Sequence, residues 1–168
     1  MADTDVGERW DWSNPNSKRI QDPYTGALEA LSEAVHEPVV PGRGESWSEN
    51  VIGVAADVRD AWGDHVDHEL SFLRAAARTG PDVALKLDSL RDRSEHIKER
   101  LRRLILETEE RYEALLGRVE ADAEPDRVLL DLRDRWIGWI EDSRNLEADA
   151  EDWIAEEQSG AGEMEDRV

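Results

Sequence analysis

The stretch WGDHVDHELSF, Trp62 to Phe72, places His65, His68 and Glu69 within five residues of one another. Imidazole and carboxylate groups at that spacing are the donors that iron or zinc accepts. A histidine beside a carboxylate can also act as a general base. A further candidate, His96, sits in RDRSEHIKERL, and the remaining histidine, His36, lies beside Pro38 as a capping or exposed residue. The candidate metal ligands are therefore His65, His68, Glu69 and His96.

What positions them is a set of helices. Asp22-Pro23 supplies an N-cap followed by proline at the first helical position. Ala27, Leu28, Leu31, Ala34 and Val35 then recur at helical spacing, which predicts a short first helix ending near Glu37. A second helix is expected from Ser46 or Ser48 to about Arg78, with Val51, Val54, Val58, Ala61, His65, His68 and Phe72 as its inward seam. Ala55, Trp62, Leu70 and Leu73 widen that seam. Gly80 and Pro81 separate it from a third helix running to about Ala121, whose stripe includes Leu90, Ser94, Ile97, Leu101, Leu104 and Thr108. Pro125 opens a fourth, carrying Val128, Leu129, Leu132, Trp136, Trp139, Ile140, Ser143, Leu146, Ala150, Trp153 and Ile154. No alternating strand pattern appears. The expectation is an all-α, elongated antiparallel helical bundle of three long helices plus one short N-terminal helix. Residues 1–21 read as an irregular segment containing Trp10 and Trp12, residues 22–157 as the bundle, and residues 158–168 as a disordered acidic tail.

Counting outward from breaks near Gly80 and Glu124 puts His65, His68, Glu69, Glu95, His96 and Asp152 in one slab of the bundle. Beside solvent exposure of the histidines where the bundle splays, two readings follow. One is a metal site. The other is a polar layer in which His65 and His68 hydrogen-bond to Ser94, Asp92 or water, a device that penalises wrong registers. Direction favours the layer. His65 and His68 follow the seam, Glu69 lies one position off it, and His96 shares a polar face with Arg93, Glu99 and Arg103. On the third helix Ser94 and Ile97 face the slab, and neither is a good ligand.

The motif HVDHE near a helix end, followed by EH in RDRSEHIKERL, resembles the hemerythrin-like (HHE) four-helix-bundle proteins over roughly residues 24–157. The segment ALEALSEAV…PGRGESWSENVIGVAADVRDAWGDHVDH is similar to a bacterial group of that type. The resemblance implies an oxygen- or metal-related bundle with a di-iron centre held by five histidines and two carboxylates. This chain has four histidines, and its fourth helix has none. The implied member is one with a degenerate, reduced site.

The chain has 168 residues, the length of about one domain. It has no cysteine, which excludes disulfides, iron–sulfur clusters and thiolate zinc sites. Against 41 Asp and Glu stand 21 Lys and Arg, a formal net charge of −20. That surface repels phosphate backbones and anionic membranes, so neither nucleic acid nor a membrane is an expected partner. With no apolar h-region at the start and no spanning run, a soluble, cytoplasmic protein is expected. Lys18, Lys86 and Lys98 are its only lysines. Abundant carboxylate with scarce lysine suits either a halophilic, salt-rich cytoplasm or a genome that favours arginine codons.

Arg91 to Arg103 is locally basic, and its interleaved acids read as ion pairs along one helix surface. The alternative is a docking stripe for an acidic partner, such as a second copy of this protein. The tryptophans on the apolar stripes read as core, although a partly exposed Trp139 would mark a protein interface. Taken together these features point to a non-catalytic structural or protein-interaction module, with a protein partner or a homo-oligomer and no required cofactor. The other function classes are a hemerythrin-like metal-binding domain holding iron or zinc, and a catalyst using His65 as base.

Overall fold

The structure, a computed structural model, describes residues 22–76, 81–117 and 126–165. Trp10, Trp12, the stop at Gly80, Val119 and Pro125 lie outside them. Among the described residues the chain forms four helices and no strand: α1, Pro23–His36; α2, Gly44–Ala76; α3, Pro81–Leu115; α4, Arg127–Glu165. The three long helices have 33, 35 and 39 residues, and at about 1.5 Å per residue each spans roughly 50–60 Å. Consecutive helices pack on one another, and α1 and α2 also pack on α4, so the short α1 occupies part of a fourth bundle position.

Local chemistry sets the helix ends. Asp22 caps α1, its carboxylate accepting from the Tyr24 N–H at 3.0 Å and from the Thr25 hydroxyl at 3.2 Å. Pro38 prevents continuation past Glu37. Helix α2 starts at Gly44, earlier than the serines suggest. The Ser48 hydroxyl donates to the Gly44 carbonyl one turn back, 2.9 Å away, so it is a buried interior residue and not a cap. Gly42, at φ 76°, makes the turn before it.

Helix α3 stops at Leu115 and not near Ala121, because the chain turns left-handed at Gly117, φ 72°. Helix α4 is capped by Asp126, whose carboxylate accepts from the Val128 and Leu129 N–H groups. The described helix begins at Arg127, and Val128, in the first turn, is half exposed and not core. At the other end α4 runs on to Glu165, where a disordered tail from residue 158 was expected. Gly160 and Gly162 each cost about 1 kcal/mol in a helix, which the surrounding Ala, Glu and Gln residues, good helix formers, can absorb.

The core follows the third and fourth stripes closely. Ser94, Ile97, Leu101, Leu104, Ile105, Thr108 and Leu115 are buried on α3, and Leu129, Leu132, Trp136, Trp139, Ile140, Ser143, Leu146, Ala150, Trp153 and Ile154 on α4. Two α4 indoles donate hydrogen bonds to α3. Trp136 Nε1 donates to Thr108 Oγ1 at 3.0 Å, while Thr108 donates to the Leu104 carbonyl. Trp139 Nε1 donates to the Ile97 carbonyl at 2.8 Å. Trp139 is fully buried, so it is core and not interface.

The α2 seam differs from expectation. Val51, Ala55, Val58, Trp62 and Leu73 are buried, while Val54 and Ala61 are only partly so. The inward line runs 51, 55, 58, 62 and on to 65 and 69. It is one position, about 100°, away from the line 54, 61, 68.

The α3/α4 seam carries a ladder of ion pairs. Lys86 meets Glu156, Arg93 meets Asp149 at 2.6 Å, Arg100 meets Asp142, and Arg135 meets Glu107. Each rung advances one heptad on α3 and retreats one heptad on α4, which is the register of an antiparallel coiled coil. The basic stretch from Arg91 therefore also pairs across helices, beside the local contacts Lys98–Glu95 and Arg102–Glu99.

Candidate functional site: the His65 joint

The rotated seam decides what becomes of the histidines. His65 is mostly buried at the meeting of α1, α2 and α4; Glu69, one turn on, lies beside it. His68 is exposed on α2, and His96 is exposed on α3. His96 lines an open groove with Asp92, Arg93, Ile97, Arg100, Asp142 and Asn145, two turns of α4 short of the expected Trp153 level. The reason is the α3 stop at Leu115, which shifts the hairpin register away from symmetry about Glu124.

The four-residue set His65, His68, Glu69 and His96 is thus not assembled. Only His65 and Glu69 come together. Among the described residues, no group of three or more His, Asp or Glu side chains is arranged to hold a metal ion. The di-iron ligand set implied by the resemblance is not present among the described residues. Exposed His36 has its Nδ1 2.7 Å from the Ser32 carbonyl, closing the last turn of α1.

What assembles instead is a polar joint that spacing along α2 did not reveal. His65 Nδ1 lies 2.7 Å from Asp22 Oδ2, so the residue that caps α1 also holds the imidazole of α2. His65 Nε2 faces Glu69 Oε1 at 3.5 Å and Glu147 Oε1, from α4, at 3.4 Å, with no hydrogen bond of good geometry. Tyr24 stacks on the imidazole with ring centroids 4.2 Å apart, and its edge meets Trp62 at 5.3 Å. Trp62 in turn packs against Trp139. The polar cluster forms around His65, with His68 exposed, and it draws on Asp22 and Glu147 where Asp92 and Ser94 of α3 were expected.

The electrostatics follow from one imidazole meeting three carboxylates. Burial works against a charged His65, but the Asp22 hydrogen bond and the charges of Glu69, Asp22 and Glu147 outweigh it and raise its pKa. Asp22 feels burial in the opposite sense, yet the bond and charge of His65, with the Tyr24 and Thr25 donors, bring it below its ordinary value. Burial pushes Glu147 up to about 7; the His65 charge opposes this, and Glu69, Asp22 and Glu151 reinforce it. The Tyr24 phenol is raised too, by burial first and then by the neighbouring carboxylates. A crevice of about 10 Å³ beside Glu69, walled by Leu70, Leu90, Ser94 and Leu146, has room for no more than a single water molecule.

Asp22 was legible as a cap, and Glu147 as one acid among many. Their convergence on His65 depends on how α1 and α4 pack on α2, which no local spacing encodes. Compared with protein-family models, curated proteins and solved structures, the chain matches none.

Proposed function

We propose that this chain is a non-catalytic helical module that presents long, acidic helix faces to a protein partner or to another copy of itself. The observation that supports the reading best is where the chemically capable side chains are directed. Asp22, His65 and Glu147 join α1, α2 and α4 to one another, as Arg93, Arg100 and Arg135 join α3 to α4. Side chains with catalytic potential thus serve the scaffold. Most carboxylates of the described helices, such as Glu99, Asp131 and Asp149, are exposed, and a net charge of −20 speeds encounter with basic surfaces and opposes anionic ones.

The test combines metal content with mass in solution. Protein purified without chelator is expected to carry far less than one metal ion per chain. Light scattering is expected to give a mass above the 19.1 kDa of the monomer, or to do so once a basic partner is added. A monomer holding stoichiometric iron or zinc, and losing it in His65→Ala, would overturn the reading in favour of a hemerythrin-like metal domain.

A further inference from the structure

We propose that the His65 joint is a proton-held latch: one proton, shared between His65 Nε2 and the Glu147 carboxyl, keeps the first turn of α1 seated on α2 and α4, and its loss at alkaline pH releases that turn. The geometry carries this. Nδ1 is committed to Asp22, an acceptor, so it bears a proton. The opposite nitrogen looks at two carboxylate oxygens, 3.4 and 3.5 Å away. A lone pair there would face two further acceptors in a site largely shielded from water. Contact is tolerable when Nε2 is protonated, or when Glu147 is protonated and donates to it. With neither, the joint holds three carboxylates and a neutral ring.

The surroundings on every element fit this reading. Helix α1 contributes Asp22 with its Thr25 and Tyr24 donors. Helix α2 contributes Glu69, with His68 exposed on the adjoining face. Helix α4 contributes Glu147, with the charge of Glu151 nearby and the Ser143 hydroxyl next to the Tyr24 phenol. Helix α3 contributes Leu90 and the Ser94 hydroxyl to the crevice beside Glu69. The raised pKa values of His65 and Glu147 agree with a retained proton.

Release would be local. The far end of α1 is held by another contact, Arg133 Nε donating to the Val35 carbonyl at 3.1 Å, which does not titrate near neutrality. Leu28, Leu31 and Val35 stay in the core through it. Freeing the first turn lifts Tyr24 from Trp62, so tryptophan emission reports the event.

Hydrogen exchange on the full chain, corrected for the intrinsic pH dependence of exchange, tests the latch. Between about pH 5.5 and 8.5, protection of the first α1 amides is expected to fall roughly tenfold more than that of α3 amides around Leu101 to Thr108. In Glu147→Gln the extra loss should shrink to about threefold or less, because an amide donor replaces the shared proton. At about pH 6.5, where a free histidine is half neutral, the nitrogen shifts of His65 and the carboxyl carbon shift of Glu147 should together show one proton retained by the pair. Parallel loss of protection in α1 and α3, an undiminished loss in Glu147→Gln, or a neutral His65 beside an ionised Glu147 at that pH would each overturn the proposal. Should Glu147→Gln not fold, Glu69→Gln removes another of the facing carboxylates and is held to the same criterion.

Discussion

The α3/α4 ladder and the His65 joint both connect helices through charge, yet they work in different ways. In the ladder each cation meets one anion across a seam open to water: Arg93 and Asp149 are 44% and 56% exposed, for example. Such pairs contribute about 0–1 kcal/mol each and are screened by salt. Their contribution is to register, since a one-heptad slip would leave the end rungs unpaired, and a parallel arrangement would dissolve them all. In the joint, one imidazole meets three carboxylates, and His65 and Asp22 are only 12% and 9% exposed. Charge there cannot be balanced by pairing alone, so it is balanced by a proton. Repeated, exposed, one-to-one pairs specify alignment at little energetic risk. A single crowded, shielded cluster ties local stability to pH.

The largest expected effect tests that contrast directly. His65→Ala leaves Asp22, Glu69 and Glu147 facing one another without their shared imidazole, and should cost about 3 kcal/mol in urea unfolding near neutral pH. Arg93→Ala, on the ladder, should cost under about 1 kcal/mol. Equal losses from the two substitutions would erase the distinction between the regions.

The next effect is the pH dependence. Glu147 and His65 are both raised on folding, so their contributions are fully present below the unfolded values, ordinarily 4.5 and 6.5. They are lost as pH rises through the folded values, about 7 for Glu147 and above the ordinary value for His65. Asp22 is lowered, so its contribution is present above its ordinary 3.8 and lost as acid protonates it. Stability from the joint should therefore be greatest near about pH 4 to 4.5 and decline as pH rises toward and past 7. Glu147→Gln should flatten the alkaline decline, making the variant more stable than the parent by roughly 2 kcal/mol at about pH 8.5 and little different near pH 5. The ladder should show no such slope, and titration of Arg93→Ala should parallel that of the parent.

The contrast between the two regions also explains what was legible in the sequence. The fold class, the three long helices and the α3 and α4 stripes could be read because burial recurs there in ordinary helical steps. Trp136 and Trp139 reach α3 from positions that spacing already marked as inward. The α2 seam misled because two lines fit it, 54–61–68 and 55–62–69, each apolar in its first half. Only the packing of Ala55 and Trp62 separates them, and the choice turns His68 outward and Glu69 inward. The ladder's heptad spacing was present in Lys86, Arg93, Arg100 and Glu107, and again in Arg135, Asp142, Asp149 and Glu156. It could not be matched across the seam until the α3 stop at Leu115 fixed the register. Glu147 carried no mark distinguishing it from dozens of surface acids. Its burial is a property of where α1 begins, and so of tertiary structure.

A weaker effect separates alignment from stability. Exchanging the charges of one rung, Arg100→Asp with Asp142→Arg, keeps the attraction while reversing its direction. Glu107 and Arg135 already form a rung of that reversed sense, so the seam accepts either polarity. The exchanged chain should unfold within about 0.5 kcal/mol of the parent. Arg100→Asp alone sets two acids opposite each other on a chain already at −20 and should lose on the order of 1 kcal/mol. At 1 M salt, where the screening length falls to about 3 Å, that single-variant loss should shrink towards zero. The loss caused by His65→Ala should persist at that salt, because ions cannot enter a joint packed beneath Tyr24 and Trp62. A ladder variant insensitive to salt would mean that its rungs act through packing of their aliphatic stems, and register would then have to be sought in the Trp136–Thr108 and Trp139–Ile97 hydrogen bonds.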